Sequence, residues 1–187
     1  MRKLIVLSAP SGAGKTSIVH YLLGEISNLS FSVSVCSREK RANEIDGKDY
    51  HFLSVEGFKQ KIEENAFLEW EEVYKNQYYG TLNSEVQRIW DDGKTAIFDV
   101  DVVGGISIKK QYPKECLSFF IMPPSIEVLR ERLRSRDSES DEMLKKRINK
   151  AEEEILRNNE FDRVILNNNF EIACKEAKRL IINFIKS

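Results

Sequence analysis

Cysteine is scarce in this chain. Cys36, Cys116 and Cys174 lie far apart and form no Cys-x-x-Cys pair. That argues against a disulfide framework and against a zinc site. No apolar run approaches the ~20 residues that span a bilayer, so no membrane partner is expected. The first apolar run follows two basic residues but leads into no cleavage pattern, so no secretory leader is expected and the location is read as cytoplasmic. No internal repeat and no low-complexity stretch is present. An excess of one charge is also missing: 29 Lys and Arg face 30 Asp and Glu, for a net charge of −1. This speaks against non-specific nucleic-acid binding. What remains is a globular chain of 187 residues, 41% hydrophobic and 32% charged, read as one core with room for insertions. The sequence specifies no interface; a homo-oligomer is compatible with it.

Ala9-Pro10-Ser11-Gly12-Ala13-Gly14-Lys15-Thr16 is the most informative stretch. It follows the apolar strand-like run Leu4–Leu7 and precedes a helix-like segment from Ser17. Strand, small-residue loop ending in Gly-Lys-Thr, and helix make up the phosphate-binding P-loop. Small residues let backbone N–H groups converge on phosphate, and the helix start adds its positive dipole end. Lys15 offers charge to the β/γ oxygens of ATP and Thr16 a hydroxyl to Mg²⁺. Ala9 stands where the strict pattern has Gly, which raises the question of left-handed backbone there.

Beyond the first βα unit, residues 32–84 read as a small mixed insert. Phe31, Val33 and Val35 alternate, a basic loop follows, and Tyr50-His51-Phe52 resumes, which predicts antiparallel β structure. Ser54 is placed to cap a short helix with Phe58 and Ile62 inward. Phe67–Trp70 and Gln77–Gly80 predict further strands. The core pattern then returns. A helix is expected over 82–90, a strand over 96–101 ending in Asp99 and Asp101, and a helix over 106–112. An apolar strand over 117–122 and a helix capped by Ser125 come next. A polar loop over 137–141 leads to a charged helix carrying Leu144, Ile148, Ala151 and Ile155. A strand over 164–166 and a closing helix over 172–185 complete the chain. Uniformly apolar strands alternating with helices predict a three-layer α/β fold around a parallel sheet. The core is 1–31, 85–124 and 159–187, the insert 32–84 and a helical lid 125–158.

Three groups of residues carry chemistry. Asp99 and Asp101 end a strand at the edge that holds the P-loop, where a carboxylate serves Mg²⁺ or substrate. Among the arginines of the helical pair, Arg132, Arg136 and Arg147 are candidates to neutralise a transferring phosphoryl group, whereas Arg130 and Arg134 read as a solvated face. In Ser37-Arg38-x-x-Arg41-x-x-Glu44-x-x-Gly47-x-x-Tyr50-x-Phe52, two guanidinium groups and a phenol make an anion site for a phosphorylated acceptor.

This last pattern, at this distance after a P-loop, resembles the guanylate kinase family. The likeness extends over essentially the whole chain through Phe67-Leu68-Glu69-Trp70, Tyr78-Tyr79-Gly80-Thr81, Asp99–Gly104, Pro123-Pro124-Ser125 and Val164-Ile165-Leu166-Asn167. The resemblance implies ATP-dependent phosphorylation of GMP to GDP with release of ADP, with dGMP an expected second acceptor. It implies that Arg38, Arg41, Tyr50 and Tyr79 hold the GMP phosphate, and that Ser34, Glu69, Thr81 and Asp101 face guanine or ribose. Asp99 would serve the metal, and Arg136 and Arg147 the transferring phosphoryl with support from Arg132. Three departures accompany it: Ala9 for Gly, Cys36 where Thr is usual, and one extra residue between Trp70 and Tyr78. A GTPase is disfavoured because Asn149-Lys150-Ala151-Glu152 falls within a helix rather than after a strand. A non-catalytic binding module is disfavoured by the intact Lys15 and Thr16. A kinase of phosphorylated sugars would not need the acid of Glu69.

Overall fold

A computed structural model describes residues 2–136 and 141–187, without the side chains of 135, 136 and 141. The first part of the chain forms β1 (Leu4–Ser8), α1 (Lys15–Glu25), β2 (Leu29–Phe31), β3 (Val35–Cys36), β4 (His51–Phe52) and α2 (Val55–Glu63). Next come β5 (Phe67–Tyr74), β6 (Gln77–Leu82), α3 (Asn83–Asp91), β7 (Thr95–Asp99) and α4 (Val102–Gln111). The last part gives β8 (Cys116–Met122), α5 (Ile126–Arg136), α6 (Asp141–Leu156), a 3-10 turn (Asn158–Glu160), β9 (Arg163–Leu166) and α7 (Phe170–Lys186).

Five strands form one parallel sheet in the order β2-β7-β1-β8-β9. Successive side chains of a strand point to opposite faces, and β1 shows the consequence. Ile5 and Leu7 join the apolar cluster of Ile18, Val19 and Leu22 from α1 and Ala177 and Ile181 from α7. Leu4 and Val6 join Val86 and Ile89 of α3 and Ile108 of α4 on the other side. With helices on both faces, the strands are apolar throughout rather than alternating. Phe98, Phe119 and Phe120 are fully buried in these layers, each contributing on the order of 1.5–3 kcal/mol. Leu129 and Leu133 of α5 and Leu144, Ile148 and Ala151 of α6 bury into the first cluster, so the helical pair is rooted in the core. Among the described residues no helix is long and apolar enough to cross a membrane.

The second sheet, β4-β3-β6-β5, has its own small core. Phe58 of α2 stacks on Phe67 at 4.4 Å and on Tyr78 at 5.4 Å between ring centroids. Ser54 caps α2, its Oγ accepting from Gly57 N at 3.0 Å. Three expectations are corrected. β3 and β4 pair in parallel, with Val35 opposite His51, because the intervening loop carries the chain back to the strand's start. The strand expected over 96–101 ends at Asp99, and α4 begins four residues before the expected Ile106. The β5–β6 hairpin carries a bulge between Glu72 and Tyr74. The polar loop expected over 137–141 falls largely outside the described residues.

Candidate active site

β1 and β7 run side by side with Leu7 opposite Asp99, so the P-loop leaves β1 beside the end of β7. Gly14 caps α1 at φ 93°, a left-handed conformation that glycine adopts without a Cβ penalty. A Cβ there would come within 2.4 Å of Asn167 Nδ2. Asn167, immediately after β9, donates to Ala13 O at 2.7 Å, clamping the loop from behind. Ala9 raises no strain: among the described non-glycine residues only Asn65 and Asn76 have positive φ. Asp99 ties the motif's two functional side chains together. Lys15 Nζ lies 2.5 Å from its Oδ1, and Thr16 Oγ1 donates to its Oδ2 at 2.6 Å. Lys15 also donates to Val100 O at 2.6 Å.

Across the cleft, Glu44 organises the loop that carries Arg38 and Arg41. It takes a two-pronged bond from Arg38 at 2.7 and 2.5 Å and one from the Arg41 backbone N–H at 2.9 Å. The Arg38 guanidinium holds the Glu44 carboxyl down at about 2. Arg38 Nε donates to Tyr79 Oη at 3.0 Å, which leaves the Tyr79 proton free to donate elsewhere. Arg38 also lies 5.1 Å from the Tyr50 ring centroid. Burial, reinforced by the Asp99 charge, pushes the Tyr50 phenol up to about 12, so it stays a neutral donor.

Glu69 is 7% exposed and accepts from Thr81 Oγ1 at 2.7 Å. Burial pushes its carboxyl up to about 7; the Thr81 hydrogen bond pulls down and the Asp101 charge adds to the rise. It reaches α4 because residue 104 is glycine: a Cβ there would lie 2.6 Å from Glu69 Oε2. Asp101 caps the same helix, its Oδ1 accepting from Gly104 N at 2.7 Å.

Most of the expected site residues meet in one place. A cleft of about 690 Å³ is lined by Ala9, Pro10, Ser11, Gly12, Gly14, Lys15 and Thr16, by Arg38, Arg41, Tyr50 and Tyr79, and by Asp99, Asp101 and Arg147. A chamber of about 220 Å³ adjoins it and adds Ser34 and Glu69. Ala13 and Thr81 are buried behind these walls. Arg132 lies on α5 and does not line either space. The Arg136 side chain lies outside the described residues. Sequence reading gave no role to Glu44, Glu71, Lys150, Glu154 or Asn167. Period-two alternation from Glu69 would have found Glu71, which lines the chamber, and helical spacing from Arg147 would have found Lys150 and Glu154. Burial pushes Glu71 up to about 8, with Asp101 adding to the rise, and Glu154 up to about 7.

A clamped Gly-Lys-Thr loop at the carboxyl edge of a parallel sheet puts the molecule in the P-loop NTPase class. The family model for guanylate kinase matches residues 1–183. Guanylate kinase of Bacteroides thetaiotaomicron is 49% identical over 98% of this chain and 90% of its own length. That of Porphyromonas gingivalis is 48% identical over 99% of both. The crystal structure of guanylate kinase from Anaplasma phagocytophilum superposes with a TM-score of 0.79 at 28% identity, covering 97% of this chain and 85% of the other. The chain belongs to the guanylate kinase family.

Proposed function

We propose that this protein transfers the γ-phosphoryl group of ATP to GMP, giving ADP and GDP. The observation that carries the reading is Glu69. It is a buried carboxyl that accepts from Thr81, in a chamber also lined by Lys15, Tyr50 and Tyr79. Guanine presents two adjacent donors, N1–H and the 2-amino group, and an ionised carboxylate accepts both. Ser34 and Asp101 line the same chamber and complete the base and ribose contacts.

Arg38 and Arg41, with the Tyr50 and Tyr79 hydroxyls, hold the GMP phosphate. The acceptor oxygen needs no general base, since a phosphate monoester is largely dianionic at neutral pH. Lys15 and the P-loop amides hold the donor phosphates, and Arg147 and Arg136, supported by Arg132, offset charge on the group in flight. Mg²⁺ fits the hard oxygen donors Thr16 and Asp99. Among the described residues no group of three or more His, Cys, Asp or Glu could cage a metal. Mg²⁺ commonly keeps several waters and takes phosphate oxygens. When bound there, Mg²⁺ would offset negative charge on the donor phosphates. In this reading the insert 32–84 and lid 125–158 close on the core 1–31, 85–124 and 159–187, and the enzyme works in the cytoplasm on small-molecule substrates.

A coupled assay for ADP release, with GMP, AMP, CMP and UMP offered in turn, tests the reading. GMP is expected to lead by ~10⁴-fold in kcat/KM, as a site built for N–H donors rejects analogues lacking them. Lys15→Ala is the control and should lose ~10²–10³-fold in rate. Comparable turnover of AMP, or a fully active Lys15→Ala, would overturn it.

A further inference from the structure

α6 has two working faces. Leu144, Ile148 and Ala151 are buried in the core. Met143, Arg147, Lys150 and Glu154 recur at helical spacing and line the cleft. The wall opposite is the end of β5. There Val73 and Tyr74, consecutive residues, both line the cleft. A regular strand would send them to opposite sides; here a bulge lies between Glu72 and Tyr74, and bulges re-aim side chains. Tyr74 reaches α6 from this point of the hairpin.

Lys150 meets it. Its Nζ lies 5.9 Å from the Tyr74 ring centroid, within reach of a cation–π contact. Glu154 Oε1 stands 3.8 Å from the same Nζ, one turn further along α6, and orients it. Glu71, on the same strand as Tyr74, also feels the Lys150 charge. Lys150 therefore faces one ring and two carboxyl groups, and two of these three belong to the acceptor-binding hairpin. Arg147 lies one turn before it on the same helical face.

We propose that Tyr74 and Lys150 are a positioning pair that couples acceptor binding on the hairpin to placement of Arg147 over the P-loop. The pair rests on the assignment of GMP and ATP made above. GMP bound between Arg38 and Glu69 steadies the β5–β6 hairpin. Tyr74 then holds Lys150, and with it the Arg147 turn of α6, in the position that the transferring phosphoryl requires. By linkage the effect is reciprocal: a lid closed on ATP favours the hairpin position that binds GMP. A single partly exposed cation–π contact supports a coupling factor of about threefold to fivefold.

The experiment is calorimetric titration of GMP into the protein, alone and saturated with a non-hydrolysable ATP analogue and Mg²⁺, alongside steady-state kinetics. The variants are Tyr74→Ser, Tyr74→Phe, Lys150→Met, Lys150→Arg and the Tyr74→Ser/Lys150→Met double. Tyr74→Ser and Lys150→Met should leave GMP binding alone within twofold. Each should lower the coupling factor and kcat by about threefold to fivefold. Tyr74→Phe and Lys150→Arg keep the ring face and the charge and should keep the coupling. The double variant should be no worse than either single. Unchanged coupling in Tyr74→Ser, fully additive losses in the double, or failure of Tyr74→Phe to preserve coupling would each overturn the pair. Wild-type protein that neither bound nor phosphorylated GMP would overturn the assignment and the pair together. Normal wild-type turnover with unchanged coupling in Tyr74→Ser would overturn the pair alone.

Discussion

Glu69 sets a pH dependence that a surface carboxylate would not. Burial raises its folded-state value from 4.5 to about 7. Below that point the carboxyl carries a proton, and with guanine bound as proposed one of its oxygens would be a donor facing guanine's own donors. Only the ionised form accepts from both N1–H and the 2-amino group. The raised value therefore penalises GMP on the acid side: kcat/KM for GMP should climb with pH through about 7 and level off above it. Glu69→Gln should abolish that climb and narrow the preference for GMP over AMP, since an amide offers either a donor or an acceptor. Profiles of kcat/KM from pH 5.5 to 9 for both nucleotides check this; a Glu69→Gln profile that still climbs through 7 would assign the titration elsewhere. Glu44 behaves in the opposite sense. Its partner Arg38 keeps it ionised down to about 2, so the Arg38–Glu44 loop should hold its shape across the range in which Glu69 titrates.

The P-loop can be tested as an element through two glycines in unlike settings. Gly14→Ala would place a side chain at φ 93° and a Cβ 2.4 Å from Asn167 Nδ2. Left-handed backbone costs about 1–2 kcal/mol, and the displaced amide would release Ala13 O. Gly24, inside α1, faces open space: a Cβ there would meet nothing within 4 Å, and Ala should stabilise by about 1 kcal/mol. At roughly 2–4 °C per kcal/mol for a chain of this size, Gly14→Ala should melt several degrees lower and bind ATP weakly. Gly24→Ala should melt a few degrees higher with unchanged ATP binding. Both loop and helix were legible in the sequence, because a small-residue run between two apolar periodicities is a local signal. The start of α4 was not. Its first turn holds Gly104 and Gly105, which read as loop, yet a Cβ at either would strike Glu69 Oε2 or Ser8 Oγ. The glycines mark a helix pressed against its neighbours, a fact that only tertiary contact reveals. The parallel pairing of β3 with β4 was hidden for a related reason. The loop between them is shaped by the Arg38–Glu44 bonds and by Asp49 accepting from Ile45 N at 2.7 Å, not by any hydrophobic period. Glu71, Lys150 and Glu154 come from two distant elements, so their convergence on the cleft is a property of the assembled fold.

At the scale of the whole molecule, the two sheets have separate cores, and the α5–α6 pair is rooted in the larger one. The cleft between them is open, and an open site exposes the γ-phosphate of ATP to water. Closure of insert and lid together should therefore accompany double occupancy. X-ray scattering with a bisubstrate analogue is expected to give a smaller radius of gyration than the free protein, and ATP alone a lesser change; an unchanged radius with the bisubstrate bound would rule out the motion. The clamp on the P-loop also ties the site to the order in which the chain is made. Ala13 and the Asn167 that holds its carbonyl are 154 positions apart, so at ~5–20 residues per second the motif emerges on the order of ten seconds before its clamp. A ribosome-bound chain halted before β9 carries the complete Gly-Lys-Thr signature with an unclamped loop, so the loop reaches its final hydrogen bonding only after a strand made long after it.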